Sequence, residues 1–189
     1  HLSLQAGDDM ILKRMKRRHS RADAIRFAAE VRRLRPDIVL GADLIAGFPT
    51  ETDEMSENTA AIVADCGLTF LHVFPFSPRK GTPAARMPQL ARPIVKARAE
   101  RLRNLGAEAM TRHLEGQTGR VVDVLVENGR EGRTPQFAEV VLSRELPAGS
   151  IVEARITGRH GNRLTAELAQ PPARAQALPT RSSSEVVAP

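Results

Sequence analysis

The sequence predicts an α/β chain: a parallel sheet built from βαβ units, followed by a small antiparallel β-barrel. Two observations predict it. Strand-like apolar segments begin near residues 2, 38 and 69 with helical patterns between them, the spacing of βαβ units. From Gly116 onward the pattern changes to short strand-length runs every 10–15 residues, separated by Gly, Asn and Pro turns.

The first segment, Leu2-Ser3-Leu4-Gln5, alternates as a short strand does, and Ala6-Gly7 turns out of it. Asp8 is placed to cap a short helix carrying Met10, Ile11, Leu12 and Met15 among Lys13, Arg14, Lys16, Arg17 and Arg18. Ser20 with Asp23 three residues on forms a capping box. The helix it opens runs from Ala22 to Leu34. Phe27, Val31 and Leu34 recur at i, i+4 and i+7 as its expected buried face, with Ile25 and Ala28 beside them, and Arg35-Pro36-Asp37 stops it.

The apolar run Ile38–Ile45 reads as a buried strand entering a tight turn at Gly47-Phe48-Pro49. Thr50-Glu51-Thr52-Asp53 then opens a helix to about Asp65, and Thr50 with Asp53 fits a second capping box. Met55, Thr59, Ile62, Val63 and Cys66 mark its inner face, and Gly67 takes the place of a C-cap glycine. A third strand spans Thr69–Phe76. Three strands cannot cover both faces and edges of a parallel sheet, so further strands are expected upstream of His1.

Ser77–Ala85 is loop chemistry, and Pro93 suits the first turn of a long helix reaching Leu114. Its inner side is Val95, Ala99, Leu102 and Leu105; Arg98, Arg101 and Arg112 are expected outward. Gly106 weakens its middle by about 1 kcal/mol relative to Ala. The barrel strands are expected at Val121–Glu127, Phe137–Leu142, Ile151–Thr157 and Leu164–Leu168. From Pro171 few large apolar residues remain, and a disordered tail is expected. The chain thus divides into residues 1–90, a linker helix 91–115, a barrel 116–170 and a tail 171–189.

Composition narrows the function classes. The 189 residues carry a net charge of +6, and 41% are hydrophobic. Residues 1–35 hold ten Lys/Arg against four Asp/Glu, so the excess sits at one end and points to a polyanion, nucleic acid first. Residues 117–170 balance seven basic against seven acidic residues, so the barrel cannot bind RNA on net charge alone. With one cysteine, Cys66, no internal disulfide can form, and no run approaches the roughly 18 apolar residues of a membrane span. A cytoplasmic protein is expected.

No Ser/His/Asp set, P-loop or dinucleotide fingerprint is present, and His1, His19, His72, His113, His160 and Cys66 show no metal-ligand spacing. Cys66 and His72 read as structural, and neither a catalytic residue nor a metal ligand is assigned. What remains is three strand exits: Gln5-Ala6-Gly7, Gly47-Phe48-Pro49 and Ser77-Pro78-Arg79. Adjacent strand ends of one parallel sheet bring such loops together, and ligands bind there. Gln5 can hydrogen-bond a hydroxyl or carboxylate, Glu51 an amine or ribose, and Arg79 a phosphate or carboxylate.

Three stretches carry a resemblance: Leu2–His19, Asp43-Leu44-Ile45-Ala46-Gly47-Phe48-Pro49-Thr50-Glu51-Thr52, and Phe76-Ser77-Pro78-Arg79-Lys80-Gly81-Thr82-Pro83-Ala84. In order and separation they resemble motifs of the radical S-adenosylmethionine methylthiotransferases, and in wording the threonylcarbamoyladenosine tRNA subgroup (MtaB type). Over residues 1 to about 170 the resemblance implies the C-terminal part of a partial TIM-like radical S-adenosylmethionine barrel, then a TRAM domain, a small RNA-binding β-barrel. It implies S-adenosylmethionine as cofactor, held by Gln5, Gly7, Asp43, Ile45, Gly47, Phe48, Glu51, Ser77 and Pro78. The expected partner is tRNA, with Arg17, Arg18, Arg79, Arg98 and Arg101 as candidate contacts. The family's 4Fe-4S clusters need several thiolates, which this chain lacks, so they imply an N-terminal cluster-binding part of the same enzyme and an inactive chain without it. The implied reaction places a methylthio group on carbon 2 of N6-threonylcarbamoyladenosine beside the anticodon. The alternatives are an inert RNA-binding module, or the same chemistry on another tRNA base or a ribosomal protein.

Overall fold

The computed structural model describes residues 1–169; the tail expected from Pro171 lies outside the described residues. Strands β1 (Leu2–Gln5), β2 (Leu40–Ala46) and β3 (Leu68–Pro75) form one parallel sheet in the order β1-β2-β3. Between them come α1 (Asp9–Arg14), α2 (Arg21–Leu34) and α3 (Asp53–Asp65). After β3, a 3-10 turn at Pro83–Arg86 leads to α4 (Arg92–Glu115).

The expected caps at Asp8 and Ser20 form, the second as a full capping box. Before α3 the cap lies two residues later than expected: Thr52 accepts from the Met55 N–H, and Thr50 sits in the turn at φ 65°. Gly67 follows the α3 C-cap with φ +52°, as a C′ glycine does.

Alternation along each strand splits the sheet into two faces. Leu4, Ala42, Leu44, Ala46 and Leu68 point into a core shared with Ala28, Ile62, Val63, Cys66, Ala99 and Leu102 from the helices. Here α2 departs from expectation. Ala24 and Ala28 are its buried residues, while Phe27 and Leu34 are 52% and 61% exposed. The small residues let the helix lie close to its neighbours, and close packing outweighs the burial of larger side chains.

A second cluster gathers Ala6, Ile11, Leu12 and Phe48 with Phe76, Ala84 and Met87. All three strand exits contribute to it, so the loops predicted to converge do converge.

The C-terminal unit is a closed five-stranded barrel of β4 (Val121–Asn128), β5 (Glu131–Arg133), β6 (Glu139–Leu142), β7 (Ile151–His160) and β8 (Arg163–Leu168). Strand β5 is not expected from the sequence, because Glu131-Gly132-Arg133 has no apolar alternation. Gly132 is needed there because a Cβ would sit 2.4 Å from the Leu125 carbonyl oxygen. Phe137, expected inside a strand, lies before β6 at φ 65° and is 71% exposed. The barrel is also not wholly antiparallel, because β6 pairs with β8 in parallel.

Helix α4 serves both cores. Ala99 and Leu102 pack on the sheet, and fully buried Leu114 plugs the barrel among Val124, Leu142, Ile156 and Leu164. Gly106 has a packing reason: a Cβ there would lie 3.1 Å from Leu71 of β3. Among the described residues no helix is long and apolar enough to cross a membrane.

Candidate functional site

The exit of β2 is held by an internal clamp. Gly47 turns at φ +75°, and its N–H donates to Glu51 Oε2 at 3.0 Å. A Cβ on Gly47 would meet Val95 Cγ2 of α4 at 2.8 Å, so glycine serves both the turn and the helix contact. Arg98 Nη1 donates to Glu51 Oε2 at 2.8 Å and to its carbonyl at 3.0 Å, while Nη2 reaches Asp53 at 2.6 Å. Burial pushes the Glu51 carboxyl up, and Arg98 and the Gly47 N–H pull it back only in part.

Two cavities flank the segment Pro75–Ser77. One, of about 440 Å³, is lined by Gln5, Asp43, Ile45, Phe74, Ser77 and Arg79. The other, of about 580 Å³, is lined by Gly47, Ser77, Pro78, Val95, Lys96 and Arg103. Both fall within the range of roughly 300–1,000 Å³ usual for small-molecule sites. Gln5 enters the first from a φ of 70°, a left-handed conformation that costs a non-glycine residue energy and is concentrated at ligand sites.

The structure therefore brings Gln5, Asp43, Ile45 and Ser77 together, with Gly47 and Pro78 across the shared wall. Three expected cofactor residues are used otherwise. The Gly7 N–H donates to Thr59 Oγ1 at 3.1 Å, and a Cβ would lie 2.6 Å from the Asn58 carbonyl oxygen, so Gly7 seats α3. Phe48 is buried edge-on to Phe76, ring centroids 5.2 Å apart. Glu51 is turned inward to Arg98 instead of reaching an amine or ribose.

Among the expected RNA contacts, Arg98 is the clear correction: its side chain is 11% exposed and its donors are committed to Glu51 and Asp53. Arg101 lies at the surface, paired with Glu57. Arg17 donates to the Ser3 carbonyl at 2.6 Å from an exposed position, and Arg79 faces the first cavity. Arg18 is exposed with no side-chain partner among the described residues.

Sequence reasoning missed one group. His72, expected to be structural, is 63% exposed at its side chain and places Nδ1 3.3 Å from Asp43 Oδ1; His1 Nε2 reaches the same oxygen at 2.9 Å. Strand parity held the signal, since His1, Asp43 and His72 all fall on the face opposite the core. Cys66, the one cysteine of the chain, is fully buried, and burial pushes its thiol up.

No family model matches the chain. It is similar to the threonylcarbamoyladenosine tRNA methylthiotransferase MtaB of Rickettsia prowazekii (strain Madrid E), 49% identical over 158 residues, which are 84% of this chain and 38% of that protein. It is also similar to two proteins named tRNA-2-methylthio-N(6)-dimethylallyladenosine synthase. That of Agrobacterium fabrum (strain C58 / ATCC 33970) is 39% identical over 177 residues, 89% of this chain and 39% of that protein. That of Bartonella bacilliformis (strain ATCC 35685 / KC583 / Herrer 020/F12,63) is 35% identical over 176 residues, 89% and 38% of the two. The chain spans about two fifths of the length of the relatives it matches. Across 84–89% of its own length, the chain is similar to the methylthio-forming tRNA enzymes that these names describe, at 35–49% identity.

Proposed function

We propose that this chain supplies the S-adenosylmethionine-binding wall and the RNA-binding module of a tRNA methylthiotransferase that modifies carbon 2 of N6-threonylcarbamoyladenosine beside the anticodon. The observation that carries the reading is the cavity at the C-terminal ends of β1–β3, where parallel α/β sheets bind ligands, in a chain related to such enzymes. In this reading the sheet is the C-terminal part of a radical S-adenosylmethionine barrel, residues 1–90. The β4–β8 barrel is a TRAM domain, residues 116–170, and α4 with its flanks, residues 91–115, joins them.

The donor set suits an adenosyl amino acid. The Gln5 amide can both donate to a carboxylate and accept from a ribose hydroxyl, Ser77 adds a hydroxyl, and Ile45 offers an apolar wall. Ser77-Pro78 would line the adenine side, and Arg79 at the rim can meet a phosphate. When bound, S-adenosylmethionine supplies a methyl group and a radical source. Iron–sulfur clusters do not fit these residues, because one buried thiol cannot replace several thiolates, so their ligands must come from outside the 189 residues.

The target is tested in cells. Deleting the gene should replace 2-methylthio-N6-threonylcarbamoyladenosine by N6-threonylcarbamoyladenosine in digested tRNA, read by mass spectrometry. Loss of the methylthio group from dimethylallyladenosine instead would transfer the assignment to the other relatives' reaction, and an unchanged nucleoside profile would leave an RNA-binding module without the chemistry.

A further inference from the structure

We infer that His1, Asp43 and His72 form a binding site for a divalent transition-metal cation of the zinc class, which adjoins the cofactor cavity through the shared Asp43 and does not rest on the reaction proposed above. The three side chains come from three adjacent strand positions: His1 immediately precedes β1, and Asp43 of β2 is in register with His72 of β3. All three lie on the sheet face that points away from the helices.

The spacing is that of metal ligands. His1 Nε2 and His72 Nδ1 lie 2.9 and 3.3 Å from the same Asp43 oxygen, and one ligand atom from each of the three residues falls within 4.8 Å of the others. Bonds of about 2.0–2.2 Å at near-tetrahedral angles put ligand atoms about 3.3–3.5 Å apart, so only small side-chain rotations separate this arrangement from coordination. The imidazole rings lie 4.8 Å apart by centroid and tilt by 36°, leaving both ring nitrogens directed at one carboxylate.

The surroundings support a built site. Ser3 Oγ approaches the second Asp43 oxygen at 3.5 Å, at the limit of a hydrogen bond, from which it can steady the carboxylate. Gly41 makes room for His1, because a Cβ there would lie 3.1 Å from His1 Nδ1. The two histidines face a cavity of about 430 Å³ bounded by Phe70 and by Gln136 and Phe137 of the barrel. Three protein ligands with a fourth position open to such a cavity is the arrangement of an exchangeable site, not a closed structural one. Two imidazoles and one carboxylate favour Zn²⁺, Co²⁺, Ni²⁺ or Fe²⁺ over Mg²⁺ and Ca²⁺.

The test titrates the untagged full chain, stripped with chelator, with Zn²⁺ by calorimetry and with Co²⁺ by visible absorption, in the absence of S-adenosylmethionine. One equivalent should bind, with ligand-field bands for Co²⁺. His72→Ala and Asp43→Asn should each weaken binding at least tenfold, and His160→Ala should leave it unchanged. Should Asp43→Asn perturb the fold by circular dichroism, His72→Gln at the more exposed position carries the same question. Absence of stoichiometric binding overturns the inference. So does binding that survives loss of His72, which would mean chelation by His1 alone.

Discussion

Among single residues, His113 has the sharpest environment. Its Nε2 is buried with no hydrogen-bond partner among the described residues, and its ring meets the edge of Phe70 at 6.4 Å between centroids. Burial, then the charge of Arg120, holds its pKa below the ordinary 6.5. A base depressed on folding binds fewer protons folded than unfolded in that interval. Its stabilisation is therefore complete above 6.5 and is lost as pH falls from there through the lower folded-state value. The fall in unfolding midpoint between about pH 7.5 and about pH 5.5 should shrink in His113→Leu. An equal fall in both proteins would place the acid sensitivity elsewhere.

At the scale of elements, one ion-paired arginine joins α4 to the β2 exit. Arg98 and Glu51 are nearly closed to solvent, at 11% and 1% side-chain exposure, so the pair is of the buried kind. Arg98→Ala would strand the Glu51 carboxylate with only the Gly47 N–H, and breaking such a pair costs about 3–5 kcal/mol. Denaturant unfolding should show that loss for Arg98→Ala and only a small fraction of it for Arg101→Ala, whose Glu57 pair is open to water. Equal effects would show that lost packing along α4, and not the stranded charge, sets the cost.

Across the whole molecule, charge is placed and not merely present. Ten of the 28 Lys/Arg lie in residues 1–35, yet several basic side chains are turned to internal partners: Arg21 to Asp65, Arg32 to the Cys66 carbonyl, and Arg98 to Glu51. Arg18 stays exposed and Arg79 faces a cavity, so these are the stronger candidates for phosphate contacts. Each such contact adds about 0.9 log unit of affinity loss per tenfold rise in salt on a duplex. If the chain binds tRNA as proposed above, Arg18→Ala should weaken that binding and flatten the salt slope by about one contact, while Arg101→Ala should change it less. An unchanged slope in Arg18→Ala would assign RNA binding to the shape and hydrogen bonds of the β4–β8 barrel.

The sequence by itself determined what short-range chemistry controls. Asp8, Ser20 and Gly67 mark helix ends because caps satisfy backbone groups within four residues, and the βαβ rhythm sets a parallel sheet whose exits must meet. The wording of three motifs was enough to reach the methylthiotransferases that the chain resembles. Tertiary structure decided what depends on partners distant in the chain. Whether α2 buries Ala28 or Phe27 rests on how near the sheet lets it come. Whether Arg98 meets RNA or Glu51 rests on where α4 lands. The β5 strand and the parallel β6–β8 pairing follow from barrel closure, which no local period encodes. His1, Asp43 and His72 become neighbours only through strand register, 42 and 29 residues apart in sequence, because hydrogen-bonded pairing and not proximity along the chain sets which side chains share a face.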